Sequence, residues 1–165
     1  MNTKVLVSYF SCSGNTAQTA KHIAELTGGM LYEISPETPY STADLDWRNK
    51  QSRSSKEHAD PTARPAIAGK LPDFAPYDVI YVGYPVWWGE APRIVLSFLE
   101  KYAAQLTGKS IAPFCTSHSS PLGQSDTLLH SAVPGAKWLP GKCYRLIPAK
   151  ADVEKWLNSL RSKGK

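Results

Sequence analysis

Cysteine is scarce in this 165-residue chain, and the three present, Cys12, Cys115 and Cys143, are odd in number and widely spaced. That pattern suits neither a disulfide framework nor a CxxC metal or redox motif, so free thiols are expected and no metal ligands are assigned. Long apolar runs are also missing. Met1-Asn2-Thr3-Lys4 lead straight into a short strand-like run, and no later stretch approaches membrane-spanning length. The expectation is a soluble, cytoplasmic chain without a membrane partner. There is no G-x-x-x-x-G-K-[ST] motif of a nucleoside triphosphate loop and no G-x-G-x-x-G. The histidines, His22, His58, His118 and His130, share no motif with an obvious nucleophile, so no catalytic residue is assigned.

What is present is enough apolar side chain, 42% of the residues, to build one core, read here as a single domain over 1–165. The net charge of +5 and pI near 9.1 favour acidic partners. The basic residues are dispersed except at Arg161 to Lys165, which reads as a solvated helix end rather than a nucleic-acid arm. Val5 to Phe10, Val79 to Gly83 and Ile111 to Cys115 carry little polarity, as strands buried on both faces of a parallel sheet do. Weaker strands are read at Met30 to Ile34 and at the split pair Lys137 to Leu139 and Cys143 to Leu146.

Helical spacing fills the intervals between these strands. Ala20, Ile23, Ala24 and Thr27 share one side of a helix over 16–27, stopped by Gly28-Gly29. Val95, Phe98, Leu99 and Tyr102 recur at i, i+3, i+4, i+7 behind Pro92, and Val153, Trp156, Leu157 and Leu160 repeat the pattern with Asp152 placed to cap. A shorter helix is read around Asp126 to Val133. Strand and helix alternate throughout, which points to an α/β doubly wound parallel sheet with helices on both faces and ligands at the carboxyl ends of the strands. The stretch 36–75 departs from this. It is polar, proline-punctuated and long for a connection, and reads as an inserted lid or binding loop with a short helix near Leu45 to Lys56.

Three segments follow the three strongest strands and meet at one sheet edge. Ser11-Cys12-Ser13-Gly14-Asn15-Thr16 combines hydroxyls, an amide and a glycine before a helix. Its backbone N–H groups could bind a phosphate, or simply form a capped turn. Cys12 would be the nucleophile of a small phosphatase, but such a loop needs an arginine six residues on and Gln18 stands there. Tyr84-Pro85-Val86-Trp87-Trp88-Gly89-Glu90 carries adjacent tryptophans that cannot both face one core on an extended segment, so one should meet solvent or a planar ligand. Gly89 would let backbone approach the edge of that ligand. Thr116, Ser117 and His118 lie in a hydroxyl-rich third loop able to donate hydrogen bonds.

Tyr9 to Thr16, Tyr32-Glu33-Ile34, Tyr77 to Ile80 leading into Gly83-Tyr84-Pro85-Val86-Trp87-Trp88-Gly89, and Pro113 to Thr116 together resemble the flavodoxin superfamily, in particular short flavodoxin-like proteins with a tandem-tryptophan loop. The resemblance implies a five-stranded sheet in the order 2-1-3-4-5 with flavin mononucleotide (FMN) across the strand ends. Ser11, Cys12, Ser13, Gly14, Asn15 and Thr16 would hold the phosphate. Trp87 or Trp88 would stack on the ring beside Pro85, Val86 and Gly89, with Thr116, Ser117 and His118 opposite. The insertion, including Arg64-Pro65, would flank the ring. Such a protein carries electrons between redox partner proteins, or takes hydride from a nicotinamide for a quinone or similar small acceptor, as a monomer or weak homodimer. A flavin-free interaction module on the same fold is the alternative of a different class. A receiver-type module would need an aspartate where Gly83 and Tyr84 end the third strand.

Overall fold

The computed structural model describes residues 3–69, 72–117 and 125–163. Its elements run β1 (Val5–Tyr9), α1 (Asn15–Thr27), β2 (Met30–Glu33), β3 (Ser35–Pro36), α2 (Arg53–Ala59), β4 (Ile67–Ala68), β5 (Val79–Pro85) and α3 (Arg93–Lys101). They continue with α4 (Ala103–Leu106), β6 (Ser110–Ser117), α5 (Ser125–Ala132), β7 (Lys137–Trp138), β8 (Lys142–Arg145) and α6 (Lys150–Lys163). The main sheet is parallel in the order β2-β1-β5-β6, and the far edge of β6 is shared. β7 pairs with its first residues and β8 with its last. The fifth position of the 2-1-3-4-5 order is therefore filled by two short strands.

Alternation along the strands divides the interior into two cores. Val5, Val7, Tyr81, Ala112, Phe114 and Tyr144 pack with Ala20, Ile23 and Ala24 of α1 and Val153, Trp156, Leu157 and Leu160 of α6. Leu6, Ile80, Val82, Tyr84, Ile111 and Cys115 face α3 and α5 through Ile94, Val95, Phe98, Leu99, Leu129 and Val133. Strands covered on both sides need apolar residues at nearly every position, which is why β1, β5 and β6 lack a polar face. Gly83 has a packing reason of its own. A Cβ built on it would lie 2.1 Å from Cζ of Phe114, its register partner on β6.

Two helix boundaries differ from those the spacing predicts. Asp152 does not cap α6 but sits in its first turn, because the Ala149 carbonyl already accepts from the N–H groups of Asp152 and Val153. The helix of the insertion is Arg53–Ala59, later than the 45–56 reading. Ser52 supplies its N-cap through a bond from Ser55 N–H to Ser52 Oγ, whereas Asp44 and Leu45 form the turn before it. The insertion also closes on itself through the antiparallel pair β3 and β4. Among the described residues no helix is long and apolar enough to cross a membrane.

Candidate functional site

The loop after β1 is shaped by one hydroxyl. Ser11 Oγ accepts from the N–H groups of Gly14 and Ala17, both at 3.2 Å, and Gly14 takes φ +94° to enter α1 without a side-chain cap. The N–H groups of Cys12, Ser13, Asn15 and Thr16 have no acceptor among the described residues. Four free donors at the positive end of a 13-residue helix are the elements of an anion cradle that needs no lysine or arginine. The Thr16 hydroxyl is not one of the cradle's donors. It is buried and meets Thr116 Oγ1 at 2.8 Å, tying the first loop to the end of β6. Cys12 is exposed at the loop surface, yet desolvation of its sulfur pushes the thiol well above its ordinary value. A protonated thiol is a poor nucleophile, in keeping with the missing arginine at Gln18.

After β5 the chain turns back in a two-residue hairpin. Trp87 N–H donates to the Glu90 carbonyl at 2.9 Å and Glu90 N–H to the Trp87 carbonyl at 3.0 Å. The central residues Trp88 and Gly89 have φ of +51° and +76°, the pattern of a type I′ turn. Asparagine or glycine ordinarily fills the first of these positions, and a tryptophan there is strained. The turn separates the two indoles. Trp87 is half-buried, edge-on to Phe10 at 5.8 Å and to Tyr40 at 5.6 Å, whereas Trp88 is 43% exposed. His58 stacks on Trp88 with ring centroids 4.7 Å apart and planes 22° from parallel.

His58 belongs to the insertion, which is fastened to the site by a charged network. Arg93, buried at the start of α3, donates to the carbonyls of Glu57 at 3.3 Å and His58 at 2.7 Å, and pairs with Glu90 Oε2 at 3.2 Å. Arg53 lies 3.8 Å over the Tyr40 ring and binds Glu57 Oε2 at 2.9 Å, while the Tyr40 hydroxyl donates to Glu57 Oε1. Burial holds the His58 imidazole below its usual pKa, with Glu90 opposing and Arg93 adding to that effect. The clamp presents Leu45, Trp47 and Ser54 to the strand ends.

The outcome is a cavity of about 570 Å³ lined by Cys12, Ser13, Asn15, Pro85, Val86, Trp87, Trp88, Thr116 and Ser117 with those three insertion residues. Ser11, Gly14, Thr16 and Gly89 are not among its lining residues. His118 lies outside the described residues. The expectation that Arg64-Pro65 flanks the site is corrected: Arg64 is drawn away to Glu100 at 2.8 Å and to the carbonyls of Pro61 and Ala63. Leu45, Trp47 and Ser54 were not read from the sequence, although Trp47, a lone tryptophan in a polar stretch, was the available signal. Ser54 is 2% exposed, and its Oγ has no hydrogen-bond partner. A buried hydroxyl on a cavity wall without a partner is a group that a ligand oxygen would satisfy. No group of three or more metal-ligating side chains occurs among the described residues.

A structure from Bacteroides eggerthii, assigned as a flavoprotein, is 43% identical with TM-score 0.89, covering 97% of this chain and 99% of that one. Its counterpart from Bacteroides uniformis is 40% identical with TM-score 0.87, covering 96% and 99%. A Lactobacillus acidophilus flavoprotein solved in complex with FMN is 23% identical with TM-score 0.71 over 94% and 99%, and shares the fold. No curated protein matches the chain. The flavodoxin family profile matches residues 4–160, so with this sheet order and this loop arrangement the chain belongs to the flavodoxin family.

Proposed function

We propose that the cavity at the ends of β1, β5 and β6 binds FMN and that the protein carries electrons between redox partners. The observation that carries the binding reading is the convergence on one cavity of unpaired donors at the start of α1, an exposed and strained Trp88, and the partnerless Ser54 hydroxyl. The N–H groups of Cys12, Ser13, Asn15 and Thr16 would hold the phosphate, and Trp88 would face the ring, since Trp87 is committed to Phe10 and Tyr40. Thr116 and Ser117 also line the cavity. Bound FMN supplies one- and two-electron redox chemistry, and the protein's part is to hold it, shield it and set its surroundings.

The carrier reading rests on the lining itself. Among the described residues its twelve lining members include no carboxylate, amine or imidazole of the kind that would protonate a small substrate as it is reduced. Purified protein should show the flavin absorption bands and retain FMN on gel filtration. Trp88→Ala should weaken FMN by about 1–3 kcal/mol, the range for a stacked aromatic. Colourless protein that fails to take up FMN would favour the flavin-free module. Rapid anaerobic bleaching by NADH or NADPH without an added reductase would replace the carrier with a nicotinamide-dependent reductase.

A further inference from the structure

Only two non-glycine residues among those described have positive φ, Trp88 at +51° and Leu146 at +58°. Trp88 lines the cavity. Leu146 does not, yet it stands next to the cavity wall, since its N–H donates to the carbonyl of Ser117 at 2.9 Å. Holding a leucine in the left-handed region is costly. Burial does not offset that cost, because Leu146 is 42% exposed and Ile147 beside it is 50% exposed. Strain spent to display adjacent apolar side chains is the reverse of what stability alone selects.

The strand that leads into this apolar pair is cationic. Lys142 and Arg145 are exposed on β8, and Arg145 is the register partner of Ser117. Together with Lys155 of α6 they border a groove of about 580 Å³ in which Asp152 is the one carboxylate. No ion pair among the described residues engages Lys142, Arg145 or Lys155. Charges on an edge strand can serve merely to prevent strand pairing. That role accounts for Lys142 and Arg145, but not for a strained, exposed leucine after them.

We propose that Leu146 and Ile147, together with the adjoining groove bordered by Lys142, Arg145 and Lys155, form the docking surface for a redox protein with an acidic face. An apolar patch beside a mainly cationic groove gives contact energy from the first and partner selection from the second. The surface adjoins the Ser117 wall of the cavity, so a partner seated there would lie beside the flavin. As an electron-transfer surface it rests on the FMN reading, but as a binding surface it does not.

The test uses the flavin-loaded protein and its apo form, with an acidic [2Fe–2S] ferredoxin and basic cytochrome c as matched probes. Affinity and amide shift maps are recorded at about 0.01 M and about 0.15 M salt, where the Debye length shrinks from about 30 Å to about 8 Å. Binding of ferredoxin should fall at least about tenfold with salt, map to 142–147 and exceed that of cytochrome c. Arg145→Glu should weaken ferredoxin at least about fivefold. Leu146→Gly should weaken it at least about threefold while leaving thermal stability equal or higher, because glycine relieves the backbone strain. Ferredoxin binding that neither variant moves, or equal binding of cytochrome c, would overturn the proposal. Failure of the protein to take up FMN would sink the flavin reading alone, since the apo form still reports docking.

Discussion

The hydroxyl pair Thr16 and Thr116 joins the start of α1 to the end of β6, 100 residues on, and its removal can be calculated in advance. The residues are 1% and 3% exposed, and their oxygens are 2.8 Å apart. Valine keeps the shape of threonine, so Thr16→Val or Thr116→Val alone leaves the partner hydroxyl buried without its bond, costing about 1–3 kcal/mol. The double variant removes both polar groups and should regain most of that loss, giving a coupling of about 1–2 kcal/mol in a double-mutant cycle. Valine also suits a strand better than a helix start, so the two single effects will differ and the coupling is the quantity to read. Urea unfolding of the apo form supplies the energies, and heat scans should move by about 2–4 °C per kcal/mol at this size. Additivity of the two single effects within about 0.5 kcal/mol would show that the hydroxyls do not hold α1 to β6.

Gly83→Ala should lose about 1–3 kcal/mol through the clash with Phe114, and adding Phe114→Leu should restore part of it; a neutral Gly83→Ala in urea would refute the packing account. Ser54→Ala should leave the apo form as stable or more so, because a partnerless hydroxyl is lost, while weakening FMN severalfold by calorimetry; a destabilised apo form with unchanged FMN affinity would contradict both expectations. Because burial lowers the His58 pKa, the unfolded chain takes up the proton first as pH falls through 6.5, so this group's stabilising contribution, complete above that value, is lost on acidification. An NMR titration should place its midpoint below 6.5, and His58→Phe should flatten the loss of stability between about pH 7 and 5; a midpoint above 6.5 would reverse the sign.

The parts of this fold legible in the sequence are those where one residue reports one constraint. Val5 to Phe10, Val79 to Gly83 and Ile111 to Cys115 are apolar because both faces are covered. Gly28 marks the end of α1 because φ +69° requires it. The split edge was legible too, since Pro140-Gly141 interrupts the run between β7 and β8. The role of Thr16 was not, because a hydroxyl in a loop looks the same whether it meets phosphate or a threonine 100 residues on. Ser54 was hidden for a related reason. Nothing local distinguishes it from Ser52 or Ser55, whose hydroxyls bond each other at 2.9 Å, and only the folding of 37–66 over the strand ends places it on the cavity wall.

That folding explains why Glu90 and Arg93 follow the tryptophan turn so closely. Arg93 is 6% exposed, and a guanidinium that deeply placed must find partners for its donors. It finds them in the carbonyls of Glu57 and His58, at the negative end of α2, and in the carboxylate of Glu90. Glu90 in turn closes the backbone of the hairpin that carries Trp88. One cation thus fixes the insertion to the turn, and His58 stacks on Trp88 as a result of the same clamp. Ser54 and Trp88 arrive from segments more than 30 residues apart but are held by one set of contacts, so a change in Arg93 reaches both walls of the cavity at once. A site assembled in this way gains its precision from the clamp, and the strained conformation of Trp88 persists because the residues on either side of the turn are fixed.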